Sequence, residues 1–216
     1  MLLATLTILF ATTGQWEELF RQDGLTVSWM DLAGRDLPLV KAEGVIEENM
    51  YEILAVLNDV ERHTQWMVRI SRSEVIERQT EFDLLLYSLF DSPWPVSQRD
   101  AVVNIHVDVE PDGREVRMMF RGVDSVLRTS PENVVRVERL EMYAHLRYLS
   151  AHRTQITYRV DIDPGGSVPH WVVRWIVKRL PLRTLMRLRK QISATRGQYE
   201  AFLARHDPAR KRSAPK

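Results

Sequence analysis

The chain has 216 residues, 44% of them hydrophobic and 27% charged, with 30 Lys and Arg against 29 Asp and Glu and no cysteine. That length makes one domain of ordinary globular composition, or at most two small ones, with enough chain to bury a sizeable core. The missing cysteine excludes a disulfide scaffold, a thiolate nucleophile and a Cys-ligated metal, and a formal net charge of +1 argues against bulk nucleic-acid binding, which needs a strongly basic domain.

The chain opens on an uncharged apolar run, Leu2, Leu3, Leu6, Ile8, Leu9 and Phe10, followed by small and polar residues and then Trp16-Glu17-Glu18. Its apolar stretch is short of the roughly 20 residues that span a bilayer. Residues 1–15 are therefore expected to be a secretory signal peptide, with Gly14-Gln15 the best junction, which implies a periplasmic or secreted protein. The alternative is a buried N-terminal segment of a cytoplasmic one.

From Leu25 the sequence reads as short extended segments separated by turns: Leu25–Met30, Val40–Ile46, Ser73–Arg78, Phe82–Phe90, Ala101–Val109, Val116–Arg121, Val134–Arg139, Ala144–Leu149 and Gln155–Ile162. Val103, Ile105 and Val107 alternate with Asn104, His106 and Asp108, the period of a strand with one buried and one wet face. Phe82 to Phe90 is apolar on both parities, as in a strand covered on both faces or lining a cavity. Asp112-Gly113 signals a hairpin turn, Ser150 to Arg153 marks another, and loops this short favour an antiparallel meander.

Helical spacing appears in two places. Asn49 caps a predicted helix through Ile53, Leu54 and Leu57. Pro169, after the Gly165-Gly166 turn, opens a long C-terminal one with a broken apolar stripe of Val172, Trp175, Leu182, Leu185, Leu188, Ile192 and Tyr199, which Pro181 is expected to kink or split. Between Pro164 and Tyr199 there is no Asp or Glu, yet Arg174, Lys178, Arg179, Arg183, Arg187, Arg189, Lys190 and Arg196 are present. Arg179, Arg183 and Arg187 recur at i+4, where like charges repel. Attraction to anionic lipid headgroups, about 1 kcal/mol per basic residue, is a physical reason for that stripe, and these arginines are the candidate membrane-docking residues. Residues 205–216 read as a basic disordered tail. The plan is α+β, a curved antiparallel sheet with a long amphipathic helix at its end.

No catalytic constellation stands out. His63, His106, His145, His152, His170 and His206 show no metal-ligand spacing, and no nucleophile elbow, P-loop or dinucleotide fingerprint is present. No metal or cofactor is expected. Acid–base chemistry by isolated Asp, Glu or Tyr stays open, because their grouping in space is invisible in sequence.

The stretch Asp163-Pro164-Gly165-Gly166-Ser167-Val168-Pro169-His170-Trp171-Val172-Val173 closely resembles bacterial START domains, the steroidogenic-acute-regulatory-protein-related lipid-transfer family. Three further pieces fall in family order: Glu43-Gly44-Val45, Asp59-Val60-Glu61 with Trp66-Met67, and Pro93-Trp94-Pro95-Val96-Ser97-Gln98-Arg99-Asp100. The resemblance covers about Trp16 to Ser193, and a domain of residues 16–204 is expected. It implies a helix-grip fold with an internal apolar cavity for one lipid-like molecule, a sterol, phospholipid or similar, with no cofactor and no chemistry. Such a protein would be a monomer exchanging its ligand at an anionic membrane. The alternative is an enzyme of the polyketide cyclase or aromatase type, which related helix-grip proteins include.

Phe82, Leu84, Leu86, Val103, Ile105, Met118, Phe120, Trp175 and Leu185 are the candidate lining residues, with Trp66 beside them, although each taken singly is equally explained by core packing. Arg99 shares the parity of Val103 and Ile105 and would point inward, where a guanidinium needs a partner. START domains often carry an acid about six positions after the Trp matching Trp66, and here Arg72 stands there. Either Glu74 takes the partner role, or Arg72 and Arg99 together favour an anionic ligand group, or Arg72 lies on the solvent face.

Overall fold

The computed structural model describes residues 14–35 and 37–213, with the side chains of 170, 171, 173–178, 212 and 213 left aside. The signal peptide is thus expected on residues almost all of which lie outside the described ones, as does the side chain of Trp175. Ten strands and five α-helices follow one another: β1 (Glu17–Gln22), β2 (Leu25–Met30), β3 (Leu39–Ile46), α1 (Met50–Asn58), α2 (His63–Trp66), β4 (Ile70–Arg78), β5 (Asp83–Phe90), β6 (Arg99–Val109), β7 (Glu115–Gly122), β8 (Val135–Arg136), β9 (Arg139–Ser150), β10 (Arg153–Asp163), α3 (His170–Ala194), α4 (Glu200–His206) and α5 (Pro208–Ser213). Among the described residues no helix is long and apolar enough to cross a membrane.

The strands form one sheet in the order β1-β2-β3-β10-β9-β7-β6-β5-β4. A single meander is not what forms: two meanders, β1 to β3 and β4 to β10, join where β10 returns antiparallel to β3 with Thr154 opposite Ile46 and Val160 opposite Val40. The expected strand at Val134–Arg139 divides, because Val135 and Arg136 pair parallel to β6 while Arg139 already belongs to β9. Strand β1 was not expected, since Glu17 to Gln22 lacks alternation; its ladder with β2, closed by Asp23-Gly24 at φ 53° and 75°, supplies what its own side chains do not.

Across the sheet, Leu84 faces Ile105, Ile105 faces Phe120, and Phe120 faces Met142, so one face carries the predicted apolar parity. That face packs against Ile53 and Leu54 of α1 and Leu182, Leu185, Leu188 and Ile192 of α3 in one cluster. Each such aliphatic side chain, fully buried, contributes about 1.5–3 kcal/mol. Asn49 caps α1 as expected, its Oδ1 accepting from the Tyr51 and Glu52 amides at 2.7 and 3.2 Å.

At the C-terminus, α3 runs unsplit from His170 to Ala194 with Pro181 inside, and the expectation for the tail is corrected. The hydrogen bond lost at Pro181 costs about 3 kcal/mol, and the buried Leu182, Leu185, Leu188 and Ile192 beyond it outweigh that. The tail is not disordered through Ser213, because α4 and α5 fold back onto α1 and the strand turns. Phe202 and Leu203 are buried. Asp207 caps α5 by accepting the Ala209 amide at 2.9 Å and takes the Asn49 Nδ2 donor at 3.3 Å. Glu81 accepts from Arg205 at 2.8 Å and hydrogen-bonds His206 at 2.9 Å, so the compensating acid lies over a hundred residues away, where composition cannot show it. At the β6–β7 turn, Gly113 (φ 68°) is required twice over: a Cβ there would sit 2.3 Å from Pro208 Cγ.

Candidate functional site

Burial along the inner face falls into two zones. Around Leu84, Ile105, Val107, Val116, Met118, Leu146 and Ile156 the side chains are fully packed beneath α1, α4 and the second half of α3. Toward the start of α3, the inward residues Phe90, Phe120, Met142, Tyr158 and Ile162 remain only half-buried. Burial pushes the Tyr158 phenol up to about 12, and its hydroxyl donates to Met142 Sδ at 3.2 Å, yet the ring keeps accessible surface.

Sequence-predicted residues divide between these zones. Leu84, Leu86, Val103, Ile105, Met118 and Leu185 face inward but are packed as core. Phe120 stands in the accessible zone. Phe82 turns to the closed end, its ring 6.3 Å from Phe202 and 4.9 Å from His206. Trp66 is buried between α2, β4 and α3.

Arg72 does not join Arg99. It lies on the outer face, half-exposed, bonded to Glu74 Oε1 at 2.6 Å and 6.0 Å from the Tyr87 ring centroid. Glu74 is not the partner of Arg99 either, since it also pairs with Arg128 at 3.4 Å. The expected shared anion pocket therefore fails for a geometric reason: β4 pairs with β5 so that Arg72 stands opposite Leu89, on the parity of Asp100 rather than of Arg99.

Arg99 itself points inward, 6% exposed and the sole buried Arg or Lys among the described residues. Its guanidinium donates to the carbonyls of Ser97, Pro164 (3.4 Å) and Gly165 (3.1 Å), with no carboxylate beside it among the described residues. Burial lowers its pKa. The neighbouring Asp100, 0% exposed, faces outward and takes Arg136 through both oxygens at 2.8 and 3.2 Å and Ser130 Oγ at 2.9 Å. Two adjacent residues thus hold the linker into α3 on one face and the β7–β8 linker on the other. Gly165 and Gly166, at φ 68° and 62°, make the turn that lets those carbonyls converge on Arg99.

Beside this corner His63 is buried, its Nε2 bonded to Leu57 O at 2.9 Å and Nδ1 to Ser73 Oγ at 3.3 Å. A carbonyl accepts only, so Nε2 carries the proton and Nδ1 accepts from the serine. Burial, partly opposed by the Leu57 carbonyl, lowers the imidazole pKa from 6.5. The folded state then resists a proton that the unfolded chain takes up, so this stability is intact above pH 6.5 and is lost as pH falls below it. Urea midpoints measured between about pH 7 and pH 5 are expected to fall, and His63→Gln to flatten part of that slope. An identical slope in the variant would refute the assignment.

The exposed surface near this end carries signals that periodicity did not flag. Trp94 is 90% exposed on the β5–β6 loop, and Val126 (96%) and Leu127 (61%) are exposed on the β7–β8 linker. A Trp between Pro93 and Pro95 cannot sit in a central strand, which is the sequence cue for this loop. Arg179, Arg183 and Arg187 are exposed along α3 as their spacing predicts. Among the described residues no cluster of His, Asp and Glu is arranged to hold a metal.

A curved antiparallel sheet gripping a long C-terminal helix defines the helix-grip class of folds. The START domain family model matches residues 11–194, so the chain belongs to the START domain family. It is 27% identical over 179 residues to an uncharacterised protein of Pseudomonas aeruginosa, covering 83% of this chain and 87% of that one. It is 24% identical over 166 residues to the phosphatidylcholine transfer protein of Bos taurus, covering 76% and 77%. The crystal structure of a STAR-related lipid transfer protein fragment from Xanthomonas axonopodis superposes with TM-score 0.74 at 26% identity, covering 82% of this chain and 98% of that one.

Proposed function

We propose that this protein binds one lipid-like molecule between the sheet and α3 and exchanges it at a membrane surface, without catalysis. The observation that carries this reading is the apolar inner wall of Phe120, Met142, Tyr158 and Ile162, which stays half-buried where the rest of the inner face is fully buried. Arg99 is the one buried charge on that wall among the described residues and orients a polar, anion-bearing end of the ligand. The named relatives are transfer proteins, which supports carriage over chemistry. Trp94 on its loop and the Arg179, Arg183 and Arg187 stripe together suit an anionic bilayer, an aromatic for the interface and cations for the headgroups. With residues 1–15 as a secretory signal, exchange takes place in the periplasm or outside the cell.

Native mass spectrometry of the purified full chain tests the reading. One co-purifying lipid per chain, removable by liposomes, is the expected result. A protein that arrives empty and takes up neither sterol nor phospholipid overturns it. Trp94→Ala is expected to slow transfer from anionic vesicles by about 3- to 10-fold with lipid retention unchanged, a shift read in a fluorescent-lipid transfer assay. Equal transfer rates would remove Trp94 from the docking surface.

A further inference from the structure

The β6–β7 hairpin and the end of β9 border a groove of about 390 Å³, lined by Glu110, Arg114, Glu115, Arg117, Arg147 and Tyr148. Strand β6 is 11 residues long with Arg99 at its start. At about 3.4 Å per residue, the groove at its far end lies about 34 Å from Arg99. A polar group held at Arg99 therefore does not reach it, and whatever occupies the groove is a separate ligand.

Formally the groove is neutral, its three arginines standing against Glu110, Asp112 and Glu115. Its hydrogen-bonding capacity is not balanced, because the acids are already engaged. Glu115 Oε2 meets Arg117 Nη2 and His145 Nε2, each at 3.0 Å, and its Oε1 pairs with Arg147 Nε at 3.2 Å. The hydrogen bond from His145, followed by the nearby arginines, holds the Glu115 pKa below the ordinary glutamate value, so it stays an anion bound to its own cations. Glu110 accepts from Arg117, and Asp112 Oδ1 accepts the Arg114 amide at 2.9 Å. The unspent groups are donors. Arg114 makes no ion pair among the described residues, and its guanidinium carbon lies 5.2 Å from the Tyr148 ring centroid, a cation–π contact that steadies the fork without using its N–H groups. Arg147 is paired through Nε alone among the described residues, which leaves both terminal amines for a ligand.

We propose that this groove is an oxyanion site that takes a phosphate group between the Arg114 and Arg147 forks. One fork already satisfies a planar carboxylate, whereas a phosphate has oxygens enough to answer two. Inorganic phosphate, a small phosphate ester and the phosphate of a lipid head group share that chemistry. The site stands apart from the carrier reading and would remain if the inner face held no lipid.

Inorganic phosphate is titrated into the full chain at constant ionic strength, with sodium chloride as the reference. It is expected to move the backbone amide resonances of Arg114, Glu115, Arg147 and Tyr148 saturably, and Arg114→Gln to weaken that binding about 5- to 10-fold. Arg153→Gln, which removes an arginine paired with Glu47 at 3.1 Å outside the groove, is expected to leave it unchanged. Sedimentation with phosphatidylglycerol vesicles separates the sources: weaker binding by Arg114→Gln than by Arg153→Gln identifies the head group, and equal binding identifies the soluble phosphate. Shifts that chloride reproduces, phosphate binding that Arg114→Gln leaves intact, or the lack of any saturable shift overturns the proposal.

Discussion

Asp100→Ala is expected to destabilise the protein by about 3–5 kcal/mol, the cost of breaking a buried ion pair from one side. Asp100 is fully buried on the outer face, and its two oxygens hold Arg136 and Ser130 together. Removing them leaves the Arg136 guanidinium with only the Arg128 carbonyl at 2.9 Å. It also releases the β7–β8 linker at Ser130, while the backbone bonds from the Val135 and Val137 amides to Gln98 and Asp100 stay. The loss is read from urea denaturation. Arg136→Met added to Asp100→Ala is expected to recover part of it, since the stranded cation is then gone. A single variant within about 1 kcal/mol of wild type would show that the linker is held by its ladder alone.

Arg99→Met is expected to weaken phospholipid retention by about 10- to 100-fold, the range of a charge-assisted hydrogen bond. The same change strands the carbonyls of Pro164 and Gly165, so backbone amides around Gly165 and at the start of α3 are expected to exchange hydrogen faster. Arg99→Lys separates the two effects: it keeps the charge for the ligand and loses the fork that reaches several carbonyls at once. Recovery of retention with continued fast exchange is the expected outcome. Unchanged retention in Arg99→Met would place the polar end of the ligand elsewhere.

Much of the fold was legible because it is local. Val103, Ile105 and Val107 alternate, Asp112-Gly113 turns the chain, and Asn49 caps, each through interactions within a few residues. The inward parity of Arg99 and the START resemblance at Asp163 to Val173 were legible for the same reason. Arg72 was not, because its face depends on the register of β4 against β5, with shifts between Ile70 and Arg72 and between Val75 and Glu77. The helical tail was missed because its partners, the carboxylate of Glu81 and the amide of Asn49, are remote in sequence. Trp94 lay inside the family stretch, but only the loop's path shows that its ring faces solvent.

By itself the sequence determined the periodicity of the strands and helices, the family, and the inward parity of Arg99. Those properties follow from short-range sterics and from the order of side chains along the chain. The tertiary structure alone decided that Arg99 meets carbonyls rather than a carboxylate, that Arg72 and Arg99 part to opposite faces, and that α4 and α5 close one end of the sheet. Each of these depends on the distance between groups far apart in the chain, and register and crossover, not composition, set those distances.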